Sequence, residues 1–207
     1  VLSFLVTLLI AVNAAAPSVD LLRSAVDPNP ALQLYTSGAS LSAVLHAAIP
    51  VRRTFVGTAY YRKPNQKIVF DNVTGPLRRF QELSSSLPPF EELMKQYSIT
   101  AVSGDGVAST FALTPTRQGR VQSVTLRVDD RETLITRAVW AYTDGSRLTF
   151  DLTYTTVGNY RLPVEEHIAA RFPAYRVPRR RRAAILGLSL HLIGQGAHGY
   201  SKDRRDR

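Results

Sequence analysis

Residues 147–155 read RLTFDLTYT. Leu148, Phe150, Leu152 and Tyr154 occupy alternate positions, with Arg147, Thr149, Asp151 and Thr153 between them. A two-residue period is that of a β-strand with one dry and one wet face. The period recurs at 121–129, where Val124, Leu126 and Val128 oppose Thr125 and Arg127. It recurs again near the start, where Ala39, Leu41, Ala43 and Leu45 oppose Ser40, Ser42 and Val44.

Working outward from these segments, strands are predicted over 32–46, 51–61, 66–71, 97–102, 107–114, 121–129, 134–143, 147–157 and 165–171. The turn-rich stretches SGDG, TPTRQG, DDRE, TDGS and VGNYRLP separate the later ones. A short helix is predicted over 18–26, broken by the DPNP at 27–30. Two more follow. Leu77, Phe80 and Leu83 recur every three residues, and after Pro88 and Pro89 the residues Phe90, Leu93, Met94 and Tyr97 form a helical stripe.

About nine strands around two central helices make a mainly β, α+β protein. The strand–helix alternation of a parallel α/β fold is missing. The expected architecture is a curved antiparallel sheet forming an incomplete β-barrel, with short helices as a lid. The helices of 77–97 are the only cover the pattern offers for the open side. Packed loosely, they leave a cavity for an apolar guest; packed tightly, they complete an ordinary core. Periodicity leaves both outcomes open.

The chain has 207 residues, which suits one domain, and 44% hydrophobic content, too much for a disordered protein. It has no cysteine, which excludes disulfides, thiolate metal sites and a thiol nucleophile. The net charge of +10 is uneven. Residues 178–207 carry eight Lys or Arg and two Asp, leaving 18 basic and 14 acidic side chains for the rest. The basic character therefore belongs mainly to the tail, through Arg179, Arg180, Arg181 and Arg182 above all. Nucleic acid is not the expected partner of the body.

The first twelve residues are apolar except for Ser3 and Thr7, and Val12-Asn13-Ala14 fits a small-residue cleavage site. Residues 1–14 are read as a signal peptide, with an uncleaved anchor as the alternative. Either places the body outside the cytoplasm, exported in some form. Residues 15–177 form the expected domain. From 178 the composition changes abruptly, and 178–207 is expected to be a basic tail, disordered or out of frame.

GTAYYRKPNQKIVF at 57–70, YSIT at 97–100, FALTP at 111–115, VQSVTLRVD at 121–129 and AVWAYTDGSRLTFDLTY at 138–154 stand in an order that resembles the LolA-like superfamily. These are periplasmic outer-membrane lipoprotein carriers and lipoprotein-sorting relatives. The resemblance spans about 32–177. It implies a half-barrel with a helical lid over an apolar cavity that shields acyl chains in transit, without catalysis and without a cofactor. The implied partners are lipoprotein acyl chains or other lipid, with membrane-bound donor and acceptor proteins, and the carrier is expected to be a monomer. Parity and resemblance together nominate Leu41, Leu45, Phe55, Phe111, Leu126, Trp140, Phe150, Leu152 and Tyr154 as cavity wall. Phe80, Phe90, Leu93 and Met94 are nominated as the lid's underside. In the carriers an Arg directly before the hairpin proline is associated with holding the lid closed. Lys63 stands at that position here, as a latch or as a solvated hairpin corner.

Other chemistry finds little support. His46, His167, His191 and His198 lack metal-ligand spacing, and no nucleophile motif, phosphate loop or dinucleotide fingerprint occurs. Glu165-Glu166-His167 is read as a solvated strand edge, since neighbouring strand residues point to opposite faces. A sensor or scaffold module on the same fold, binding a protein partner, is the second functional reading. A polyanion binder acting through the arginine run is the third.

Overall fold

The computed structural model describes residues 18–46, 51–63, 65–71, 87–171 and 185–193. Among these, two helices and ten strands follow in the order α1 (Val19–Val26), β1 (Leu34–His46), β2 (Val51–Arg62), β3 (Asn65–Phe70), α2 (Phe90–Gln96), β4 (Tyr97–Gly104), β5 (Ala108–Pro115), β6 (Val121–Asp129), β7 (Leu134–Tyr142), β8 (Arg147–Val157), β9 (Tyr160–Arg171) and β10 (Ile185–Ile193). The expected signal peptide, the 77–83 helical stripe with Phe80, and residues 172–184 and 194–207 lie outside the described residues.

All ten strands form one antiparallel sheet in the order β3-β2-β1-β10-β9-β8-β7-β6-β5-β4. Its ends, β3 and β4, are not paired with each other, so the barrel is incomplete as expected. Strands β4 to β9 are a continuous meander, whereas β1 to β3 run outward to the opposite edge. β10 joins the two parts. It pairs with β1 from Gly38↔Ile193 to His46↔Ile185 and with β9 from Ile185↔Arg171 to His191↔Glu165. Residues 185–193 therefore belong to the sheet, which differs from the disordered tail expected for this segment. Leu186, Leu188, Leu190 and Leu192 recur at alternate positions there, a strand signal that the abrupt change of composition obscures.

The turns follow from their sequences. Asp105 Oδ1 accepts the N–H groups of Val107 and Ala108 at 2.9 and 2.8 Å. Asp129 Oδ1 does the same for Arg131 and Glu132, and Asp144 Oδ1 accepts from Ser146. These are the Asx turns expected of SGDG, DDRE and TDGS. VGNYRLP behaves differently. Only Gly158 and Asn159 turn, and β9 starts at Tyr160. Pro163 has no N–H to give the ladder, and the β8–β9 register shifts beside it, between Thr153 and Tyr154.

One glycine explains part of the hairpin motif. A Cβ on Gly57 would stand 2.1 Å from the Val69 carbonyl oxygen and 2.9 Å from Cδ1 of the Phe70 ring. Gly57 and Phe70 are direct cross-strand partners, so glycine lets β3 lie close and bury Phe70.

The concave face carries most of the core. Phe111, Leu113, Leu126 and Val128 are fully buried. Burial of each such side chain contributes about 1.5–3 kcal/mol. Both helices cover this face. α2 contributes Phe90 and Leu93 and runs directly into β4. α1 contributes Leu22 and Ala25, three residues apart on one stripe, against β6 and β7. It is capped by Ser18, whose Oγ accepts from the Leu21 N–H at 3.3 Å. The expectation that 77–97 supplies the only cover is corrected: the short N-terminal helix is part of it.

Candidate functional site

Among the described residues the buried side chains form two clusters. The larger takes in Leu22, Leu41, Phe70, Phe90, Leu93, Phe111, Leu126, Phe150 and Ile168, with Phe55, Met94, Trp140 and Leu152 packed against it. The smaller is Leu32, Tyr35 and Leu162, with Tyr61, Val157 and Tyr160 against it. A cavity of about 310 Å³ lies where the two approach. One wall is Ala25, Val26, Leu87, Phe90, Ile135, Ala138 and Leu152, which belong to or pack on the larger cluster. The other is Leu32, Tyr35, Tyr61 and Leu162.

Local sequence makes this gap. Ala138 on β7 faces Leu126 and Phe150 across its two neighbours, and an alanine there leaves volume that a larger residue would take. Pro163 and Tyr154, partners at the β8–β9 irregularity, both line the cavity. Tyr154 is tethered by donating its hydroxyl proton to the Ile135 carbonyl at 2.9 Å. Asp27, Pro28 and Asn29, just after α1, close one side. Asn29 is fastened to β9: its Nδ2 donates to the Arg161 carbonyl at 2.6 Å and its Oδ1 accepts from the Arg161 N–H at 2.8 Å.

Lys63 sits at this rim. Its Nζ lies 2.7 Å from Asp27 Oδ2 and donates to the Pro30 carbonyl at 2.9 Å. Its backbone N–H donates to the Gln33 carbonyl. Thus the hairpin corner is tied to the end of α1 and the segment leading into β1. Arg23 links the helices, with its guanidinium 4.7 Å above the Phe90 ring and 3.7 Å from Glu91 Oε1. Arg161 bonds Thr156 and pairs with Glu132.

The polar floor is tyrosine-rich. Tyr35 and Tyr61 stack with ring centroids 5.1 Å apart. Burial, then the nearby Tyr61 and Glu166 charges, push the Tyr35 hydroxyl up to about 12. Burial raises Tyr61 and Tyr154 as well, with Asp27 adding to the first and Glu166 to the second. All three phenols stay neutral near pH 7 and remain hydrogen-bond donors, as Tyr154 is to Ile135.

Of the nominated wall residues, Leu152 and Tyr154 line the cavity, as does Phe90 of the lid. Phe111, Leu126, Phe150 and Leu41 are buried in the packed core, and Phe55, Trp140, Leu93 and Met94 pack within or against it. Trp140 meets Phe150 edge to face at 5.1 Å. Leu45 is described only by its strand position, opposite Val51 and Leu186. The Glu165–His167 reading is corrected in part. Glu165 and His167 do pair outward, at 2.9 Å, but Glu166 is 3% exposed in the middle of the sheet. Sequence reading did not assign α1 or the DPNP segment to the site, although two prolines around Asn29 mark a rigid connection.

A second hollow, of about 460 Å³, lies between α2 and the β5–β6 turn. Its lining includes exposed Glu92, Lys95, Gln96, Thr116, Arg117 and Arg120, so it is a wet surface groove. Among the described residues no three His, Asp or Glu side chains gather as a metal site. No described helix is long and apolar enough to cross a membrane.

No protein-family model matches the chain, and no curated protein matches it in sequence. Solved structures do resemble it in fold. A domain assigned to outer-membrane lipoprotein sorting, from Vibrio parahaemolyticus, aligns over 89% of this chain and 93% of its own, with 13% identity and a TM-score of 0.51. A DUF1329 family protein from Desulfovibrio piger aligns over 83% and 88%, with 13% identity and a TM-score of 0.49. A LolA superfamily protein from Nitrosomonas europaea aligns over 86% and 94%, with 10% identity and a TM-score of 0.41. The half-barrel of this chain thus shares its overall fold with the Vibrio parahaemolyticus domain.

Proposed function

We propose that this protein is an exported, non-catalytic carrier or chaperone that shields an alkyl chain from water under a helical cover. The observation that carries the reading is the 310 Å³ gap between the two core clusters, walled by Leu152, Ile135, Leu162 and Phe90 and covered by the end of α1. Each methylene moved from water into such a wall gains about 0.8 kcal/mol, so no bond need be made for retention. The lipoprotein-sorting assignment of the Vibrio neighbour supports acyl chains as cargo, and the apolar start of the chain supports a periplasmic setting. Membrane-bound donor and acceptor proteins fit this role, with a monomeric carrier between them. The Lys63–Asp27 tie is the proposed latch, acting on α1 and its following loop. Native mass spectrometry of the protein as it leaves the periplasm tests the reading. Adducts with alkyl-chain masses, exchangeable for added palmitate, are expected. A protein that carries none and takes up none is not a carrier.

The second reading, a sensor or scaffold, rests on the sheet edge that β4 forms among the described residues. β4 from Ala101 to Gly104 is exposed along its length, with Val102 an exposed apolar side chain on it and Val107 another in the turn that follows. Such an edge can accept a strand from a protein partner.

A further inference from the structure

The cavity has two chemically different ends, and this asymmetry specifies its cargo further. We infer that the preferred ligand is a single-chain amphiphile with an anionic head, its tail against Ile135, Ala138 and Leu152 and its head at Lys63. This rests on the carrier reading above and narrows it.

Size comes first. About 310 Å³ is at the lower end of ligand pockets, which run from ~300 to ~1,000 Å³. One alkyl chain suits that volume; the paired chains of a diacylated anchor do not.

Charge comes second. Three cations, Arg23, Lys63 and Arg161, line the cavity against one carboxylate, Asp27. Two of the cations lean on carboxylates outside the lining: Arg23 on Asp20 and Glu91, Arg161 on Glu132. Lys63 is the best placed for a ligand. An ammonium has three donors. The Asp27 carboxylate and the Pro30 carbonyl take two of them. The third can meet a carboxylate or phosphate oxygen as a charge-assisted hydrogen bond. The side chain is 28% exposed, so the bond forms partly out of water and is not fully screened.

Neutral phenols come third. Tyr61 stands beside Lys63, and both it and Tyr35, stacked on it, line the cavity with hydroxyl groups that stay protonated. They can donate to an anionic head but cannot offer a cationic head a full charge. Glu166 lies near Tyr35 and Tyr154 but is not among the lining residues. The favoured seat for an anion is therefore the Lys63 end.

The test is equilibrium binding of four probes to the delipidated full chain: palmitate, hexadecyl phosphate, hexadecanol and a diacylated lipopeptide. Palmitate and hexadecyl phosphate are expected to bind about tenfold tighter than hexadecanol, as one charge-assisted bond provides. Which of the two binds tighter tells a carboxylate source from a phosphate source. Lys63→Met should erase the preference, read as the ratio of palmitate to hexadecanol affinity within that one variant, and Lys63→Arg should retain it. A thermal melt of each variant separates lost binding from lost fold. Hexadecanol binding as tightly as the acids, or the lipopeptide outcompeting them, overturns the inference but leaves the carrier reading standing. If none of the four binds, both fall.

Discussion

The inner face of β8 shows two fates for one pattern. Phe150 is 3% exposed and wedged among Trp140, Ala138 and Ile168, in the filled part of the interior. Leu152 and Tyr154, two and four residues on, line open space. Alternation tells which face is dry but not whether that face is filled. Filling depends on side chains from distant segments: Leu22 from α1 and Leu93 from α2 cover the first region, whereas Ala25, Ala138 and Pro163 leave the second short of volume.

The largest expected effect comes from breaking both regions together. β10 is the seam between β1 and β9, and each cluster has members on both sides of that seam. A chain ending at Arg171 is expected to lose cooperative unfolding altogether, read by circular dichroism during thermal melting. A sharp transition near that of the full chain would show the seam to be dispensable.

The next effect sharpens the contrast. Phe111→Ala should cost about 3–5 kcal/mol, because a fully buried ring leaves a hole that its neighbours cannot close. Leu152→Ala should cost only about 1–2 kcal/mol, since its side chain already borders space. Denaturant titrations of the two variants measure the difference; equal losses would mean that the two regions are packed alike.

A smaller effect is visible in alkali. Tyr35 has an ordinary value of 10.0 and is raised to about 12 when folded, mainly by burial. Below pH 10 both states keep the proton, and the stabilisation is complete. Between about 10 and about 12 the unfolded state ionises first, so stability falls, by roughly 2–3 kcal/mol across the window. Tyr35→Phe should flatten this part of the pH–stability curve, Tyr154 leaving a residual slope. The smallest effect concerns Thr133, whose φ of 54° places a β-branched residue in the left-handed region. Thr133→Gly should stabilise by up to about 1 kcal/mol, read as a raised melting midpoint.

Much of the fold is legible in sequence because strand alternation and turn chemistry are local. Val121–Asp129 and Arg147–Val157 have the predicted bounds, and the Asp-centred turns fall where expected. Two parts are less legible. β9 begins five residues early because its partner β8 holds Tyr160–Val164 extended despite Pro163. β10 follows a run of four arginines, and its leucine alternation is overshadowed by the change in charge. The cavity is least legible, since it depends on which distant side chains fail to meet. Parity reaches Leu152 and Tyr154, but Asp27, Asn29 and Arg161 come to the rim only through tertiary contacts.

The central claim is that the gap between the clusters holds an alkyl chain. Filling it by substitution is the most direct test. Ala138→Leu and, separately, Ala25→Leu each place new volume in the cavity, one from β7 and one from α1. If the gap is the seat of the chain, both variants remain folded with a cooperative melt, and palmitate binding weakens by at least tenfold in each. Undiminished palmitate binding by two folded variants would mean that the chain binds elsewhere or that this space is not its site.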